Sequence, residues 1–124
     1  MPLTLTDTNL RYLLAIYHLA KTMPEVTPLA VAQAMGVTKP SVTSILSCLM
    51  KHDVIVRKRY GKVYLTDRGV LYARYYDDLL QKILQRFPLE GDFTTEEKEA
   101  AALAMAAALP ARKVDARCAV LYGE

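Results

Sequence analysis

Histidine and cysteine are scarce in this sequence, with two of each in 124 residues. Cys48 and Cys118 lie far apart and show no metal-ligand spacing. Nothing places His18 beside His52. These absences remove the common zinc sites, a cysteine–histidine nucleophile pair and a Ser/His/Asp triad. Glycine is also sparse, with five residues and no phosphate-cradling glycine loop. The chain is therefore read as no enzyme. No apolar run reaches the roughly eighteen residues a membrane-spanning helix needs. The segment Met1 to Asp7 lacks a basic stretch followed by an apolar one, so secretion is not expected. A reduced, cytoplasmic setting with no membrane partner fits the cysteine usage.

What is present is an ordinary globular composition. Apolar residues make up 52%, enough for one domain with a modest core and too much for a disordered chain. The formal net charge of +3 is unevenly distributed. Residues 1–75 carry ten Lys and Arg against four Asp and Glu, and residues 76–124 carry six against nine. A basic N-terminal part beside an acidic C-terminal part suggests a nucleic-acid face at one end.

Periodicity divides the chain into elements. Leu10, Leu13, Leu14 and Tyr17 fall at helical spacing within a helix over about 6–21, capped by Thr6 or Asp7. A short second helix opens with Thr27 as cap and Pro28 in its first turn, points Val31 and Met35 inward, and ends at Gly36. A third follows after a tight turn, with Thr38 as cap and Pro40 in the first turn. Val42, Ile45, Leu46 and Leu49 form its buried stripe. Ser41, Ser44, Cys48 and Lys51 form a small, polar opposite stripe. Two short helices joined by a glycine-containing turn make a helix-turn-helix. The period then changes to two over Val54 to Arg59, Tyr60-Gly61-Lys62 turns the chain, and Lys62 to Leu65 returns. This is a β-hairpin with a basic tip, a wing. Thr66 caps a long helix over Asp67 to Phe87, with a stripe of Tyr72, Tyr76, Leu79, Leu80, Ile83 and Phe87. A loop is expected over Pro88 to Phe93. Thr94 and Glu97 form a capping box for a last strong helix ending near Leu109; its Ala100, Leu103, Ala104 and Ala107 make a flat face.

The fold class is thus mainly α with a small β-hairpin: a winged helix-turn-helix over 1–66 and a helical dimerisation region over 67–109. The tail 110–124 is read as either disordered or a short helix over Val114 to Leu121.

This order of elements suits double-stranded DNA. A major groove admits a helix whose short polar side chains let it come close. Thr38, Lys39, Pro40, Ser41, Ser44 and Lys51 occupy the third helix, and its N-terminal end is where recognition helices touch base edges. Arg57, Lys58, Arg59 and Lys62 on the hairpin can neutralise phosphates, which set affinity and register while base contacts set sequence choice. Taken singly, the hydroxyls could be mere caps and the basic hairpin a solvated edge. Together they favour a regulator of transcription.

The run Val31-Ala32-Gln33-Ala34-Met35-Gly36-Val37-Thr38-Lys39-Pro40-Ser41-Val42-Thr43, with Leu65-Thr66-Asp67-Arg68-Gly69 after it, resembles the DtxR/MntR family of iron- and manganese-dependent repressors. Leu10-Arg11-Tyr12-Leu13-Leu14-Ala15-Ile16-Tyr17 resembles that family's first helix. The likeness covers about residues 5–87; the last helix matches in position only. It implies a winged helix domain, dimerisation through the later helices, a cytoplasmic location and repression, with Thr38, Lys39, Pro40 and Ser44 facing the operator. It would also imply manganese or iron as cofactor. The positions that would hold the metal carry Arg11 and Leu14 on the first helix, Leu80 on the long helix, and Ala101, Ala104 and Met105 on the last. Alanine and leucine cannot ligate a metal, a guanidinium repels one, and one thioether favours soft metals at best. The expectation is no metal, with Asp77 and Asp78 as solvated surface and His18 as a surface or core-edge residue.

A winged domain this small reads one half-site, so a symmetric dimer is expected. Its surface is assigned to Tyr76, Leu80, Ile83, Leu84 and Phe87 of the long helix with Leu103, Ala104 and Ala107 of the last; the alanine face could also simply pack against the chain's own first helix. Cys48, on the stripe of Ser44, is read as a half-buried filler, with oxidative gating of DNA binding as the sharper alternative. Two other functions remain open: a winged-helix module that docks onto a protein, and a metal-dependent repressor with relocated ligands.

Overall fold

Threonine sets four of the helix starts. In the computed structural model, which describes residues 5–86 and 91–122, Thr6 accepts the Asn9 N–H at the head of helix α1 (Asp7–Thr22). Thr27 does the same with Ala30 for α2 (Pro28–Met35). Thr66 accepts from Gly69 for α4 (Asp67–Gln85), and Thr94 with Glu97 completes a reciprocal capping box for α5 (Thr95–Ala108). Each such cap stabilises its helix by about 1 kcal/mol. Helix α3 (Lys39–Lys51) begins after Thr38 without a side-chain cap. Between α3 and α4 runs an antiparallel hairpin of β1 (Ile55–Arg57) and β2 (Val63–Leu65), paired Ile55 to Leu65, Val56 to Tyr64 and Arg57 to Val63. The last element is α6 (Ala111–Tyr122).

A two-stranded hairpin is marginal by itself, so its anchors matter. Val63 donates to the Val26 carbonyl at 2.8 Å, joining the wing to the stretch between α1 and α2. The Thr66 hydroxyl, besides capping α4, donates to the Asp53 carbonyl at 2.6 Å. Helix α4 begins so close to the strand that a Cβ at Gly69 would lie 1.9 Å from the Val54 carbonyl oxygen. Only glycine fits there.

One core joins all of this. Leu10, Leu13 and Ile16 of α1 meet Val31, Val42, Leu46, Leu49, Val54, Ile55 and Val63, all sealed from solvent. On its other side α1 packs on α4 and α5. The core therefore continues across residue 66 into Tyr72, Ala73, Tyr76, Leu80, Ala102, Leu103 and Ala106.

Three expectations change. The tail is helical over Ala111–Tyr122, packed on α4 through buried Val114 and Cys118. The α5 face turned inward is Ala102, Leu103 and Ala106, whereas Ala100 and Ala104 are exposed and Ala107 is half-buried. Phe87 and part of the loop expected over Pro88 to Phe93 lie outside the described residues. Among the described residues no helix is long and apolar enough to cross a membrane.

Candidate nucleic-acid interface

The turn into α3 depends on Gly36, which ends α2 in the left-handed region (φ 67°) that side chains disfavour. Val37 then donates back to Ala32 at 3.0 Å, and α3 starts at once. Its inner stripe is fully buried at Val42, Leu46 and Leu49 and partly buried at Ile45. Its outer face is uncovered: Lys39, Pro40, Ser41, Thr43, Ser44, Ser47 and Lys51 are all exposed. These side chains are mostly short. Thr38 and Ser41 pair their hydroxyls at 3.0 Å, so Thr38 leaves the helix N–H groups uncapped. Thr43 and Ser47 each donate to the carbonyl four residues back, at 3.2 Å. The Ser44 hydroxyl has no partner among the described residues. Cys48 is half-buried, and its Sγ accepts from Nδ2 of the buried Asn9 at 3.2 Å. The thiol is thus part of the seam between α1 and α3.

On the wing, Arg57, Lys58 and Arg59 are exposed and pair with no carboxylate among the described residues. Lys58 lies over the Tyr64 ring, 5.4 Å from its centre, an arrangement that leaves its charge available. Lys62 differs from them. Its ammonium is engaged by Glu25, and that hydrogen bond holds its pKa above the usual lysine value. Lys62, expected to neutralise a phosphate, is half-buried and fastens the wing to the segment before α2. Sequence reasoning left out Tyr60, at the wing tip. It is 90% exposed and adopts φ 62°, a conformation non-glycine residues rarely hold. The visible signal was an aromatic beside glycine in a tight turn between strands.

Away from this face, a cleft of about 330 Å³ opens between α1, α4 and α5, lined by Arg11, Leu14, His18, Asp77, Leu80, Leu84, Glu99 and Leu103 among others. His18 Nε2 and Asp77 Oδ1 are 3.1 Å apart, so Asp77 is a partner of His18 rather than simple solvated surface. Arg11, Leu14 and Leu80, the positions a metal would need, do converge here. Ala101, Ala104 and Met105 are exposed and do not line the cleft; α5 contributes Glu99 and Leu103 instead. Among the described residues no three His, Cys, Asp or Glu side chains come together to hold a metal ion. The cleft's donors, His18 and Asp77 engaged on each other and Glu99 apart from them, stand beside a guanidinium and four leucines and do not converge as a divalent cation needs.

No family model matches the sequence, and no curated protein matches it. Solved structures do match. The metal-dependent transcriptional regulator MtsR superposes with a TM-score of 0.64 at 21% identity, over 94% of this chain and 54% of MtsR. The manganese regulator SloR gives 0.62 at 19%, again over 94% and 54%. IdeR of T. acidophilum gives 0.58 at 17%, over 98% and 56%. The chain has their fold. It is the winged helix architecture of these regulators, and the chain spans about half the length of the structures it matches.

Within this winged helix fold the surface assigned to a dimer divides. Tyr76, Leu80 and Leu103 are buried in the chain's own core, at 3%, 8% and 8% exposure, and that assignment is corrected. Leu80 and Leu103 line the cleft beside α1, and Tyr76 lies near Cys118 of α6. Ile83, Leu84 and Ala107 are half-buried and Ala104 is exposed. The exposed large apolar side chains of the last two helices are instead Met105, Val120 and Leu121, with Leu109 between the helices.

Proposed function

We propose that this chain is a cytoplasmic, DNA-binding transcriptional regulator of the DtxR/MntR kind, not an enzyme, acting as a homodimer that represses its target. Helix α3 enters the major groove, and the wing lies on the phosphate backbone. One observation carries the reading. The outer face of α3 is uncovered and short-chained, while Arg57, Lys58 and Arg59 are left without counter-charges in a chain that does pair Lys62. Cations kept unpaired at a hairpin tip are available to displace counterions from a duplex. The neighbours, described as regulators, support the same role.

On this reading DNA binding needs no divalent metal: Arg11, Leu14 and Leu80 stand where ligands would be, and among the described residues no three donors come together. Duplexes selected from a random pool should be palindromic, as a symmetric dimer requires. On such a duplex, Arg59→Ala should weaken binding and reduce the slope of log affinity against log salt by about one. Chelator should leave the affinity unchanged. Absence of salt-sensitive binding to any duplex would remove the proposal.

A further inference from the structure

The cleft between α1, α4 and α5 has an aliphatic floor of Leu14, Leu80, Leu84 and Leu103. Two charges of opposite sign, Arg11 and Glu99, face it, and both also face a second depression beside it. They do not pair with each other, and neither pairs with another side chain among the described residues. The remaining charged groups of the lining, His18 and Asp77, satisfy one another at 3.1 Å. An arginine and a glutamate that share an opening without meeting leave a gap for a molecule carrying both complementary charges.

We propose that this cleft binds a small zwitterion with an apolar body, the chemistry of an aliphatic or aromatic amino acid. Its carboxylate meets the planar guanidinium of Arg11, which suits two parallel hydrogen bonds. Its ammonium faces Glu99, and its hydrocarbon side chain covers the leucines. A volume of about 330 Å³ lies at the small end of ligand pockets. Other candidates fail on charge. A divalent cation is repelled by the guanidinium and finds Glu99 alone, since Asp77 is engaged by His18. A simple carboxylate leaves Glu99 facing it, and a simple amine leaves Arg11 unanswered. A ligand held by Arg11 also bears on α1, whose Asn9 donates to Cys48 of α3, which gives the site a route to the exposed helix. The site itself does not rest on DNA binding.

The test is thermal unfolding of the full chain without DNA. L-leucine, L-phenylalanine, 3-methylbutanoate, 3-methylbutylamine and manganese chloride are compared at equal concentration. One of the amino acids should raise Tm by about 3 °C or more at saturation, and the two half-molecules and manganese should do less. Arg11→Gln and Glu99→Gln, both at exposed positions, should keep the resting Tm and lose the shift. Should Arg11→Gln lower the resting Tm, Arg11→Lys keeps the charge and should show a reduced shift. No shift with either amino acid, an equal shift with 3-methylbutanoate, or a larger one with manganese would overturn the proposal.

Discussion

Tyr60 holds a backbone conformation that costs an ordinary side chain about 1–2 kcal/mol, yet its ring touches little of its own chain. Strain of this kind, with no internal return, points to a role outside the molecule. Tyr60→Asn, which tolerates the same φ, should raise stability by about 1 kcal/mol while weakening duplex binding several-fold. Unfolding and titration experiments on one variant should therefore move in opposite directions. Equal binding by this variant would leave the regulator reading intact and remove Tyr60 from it. Gly69 presents the converse case. Gly69→Ala places a methyl within 1.9 Å of the Val54 carbonyl, so the wing or α4 must shift. A loss of about 3 kcal/mol is expected, read as a lower denaturant midpoint.

At the scale of elements, the starts of helices were legible because a cap is a local device. Thr6, Thr27, Thr66 and the Thr94–Glu97 box each act within three residues. The helix-turn-helix and wing were legible for the same reason, since Gly36 and the change of period mark them. What required distant partners was not legible. Lys62 meets Glu25 across the molecule, and no local pattern announces it. The inward face of α5 was misread because alanine fills nearly every turn and gives little contrast between sides. Helix α6 was ambiguous because, among the described side chains along it, only Val114 and Cys118 are buried. Its packing on α4 has a pH consequence. Burial, with Asp115 nearby, pushes the Cys118 thiol up to about 11. Burial, with Cys118 and Tyr75 beside it, pushes the Tyr76 phenol up to about 12. Both groups are held neutral in the folded chain, so their contribution is complete below the unfolded thiol's ordinary value and is lost as pH rises through the folded ones. Lys62, raised by Glu25, acts in the same direction at higher pH. Tm should therefore stay level near neutrality and fall between about pH 9 and 11, with a smaller fall in Cys118→Ala. A level profile through that range would contradict the packing of α6.

For the molecule as a whole, two groups of side chains that looked alike along the sequence have different roles. Tyr76, Leu80 and Leu103 are buried in the core that joins α4 and α5 to the rest of the chain, while Met105, Val120 and Leu121 remain outside. A dimer would use the second group. Sedimentation should show a dimer for the parent chain, and Met105→Glu or Val120→Glu should shift it toward monomer without lowering helix content. A parent chain that sediments as a monomer at all concentrations would contradict the proposed assembly. Buried Leu46→Ala should instead unfold the chain by about 2–5 kcal/mol, seen as loss of ellipticity at lower temperature.

The tie from Val63 to Val26, with Lys62 held by Glu25, makes the short stretch between the first two helices a measuring rod. It fixes how far the basic fingertip stands from α3, the helix proposed to enter the groove. Lengthening that stretch by one residue would leave both parts intact and move them out of step with the pitch of the duplex.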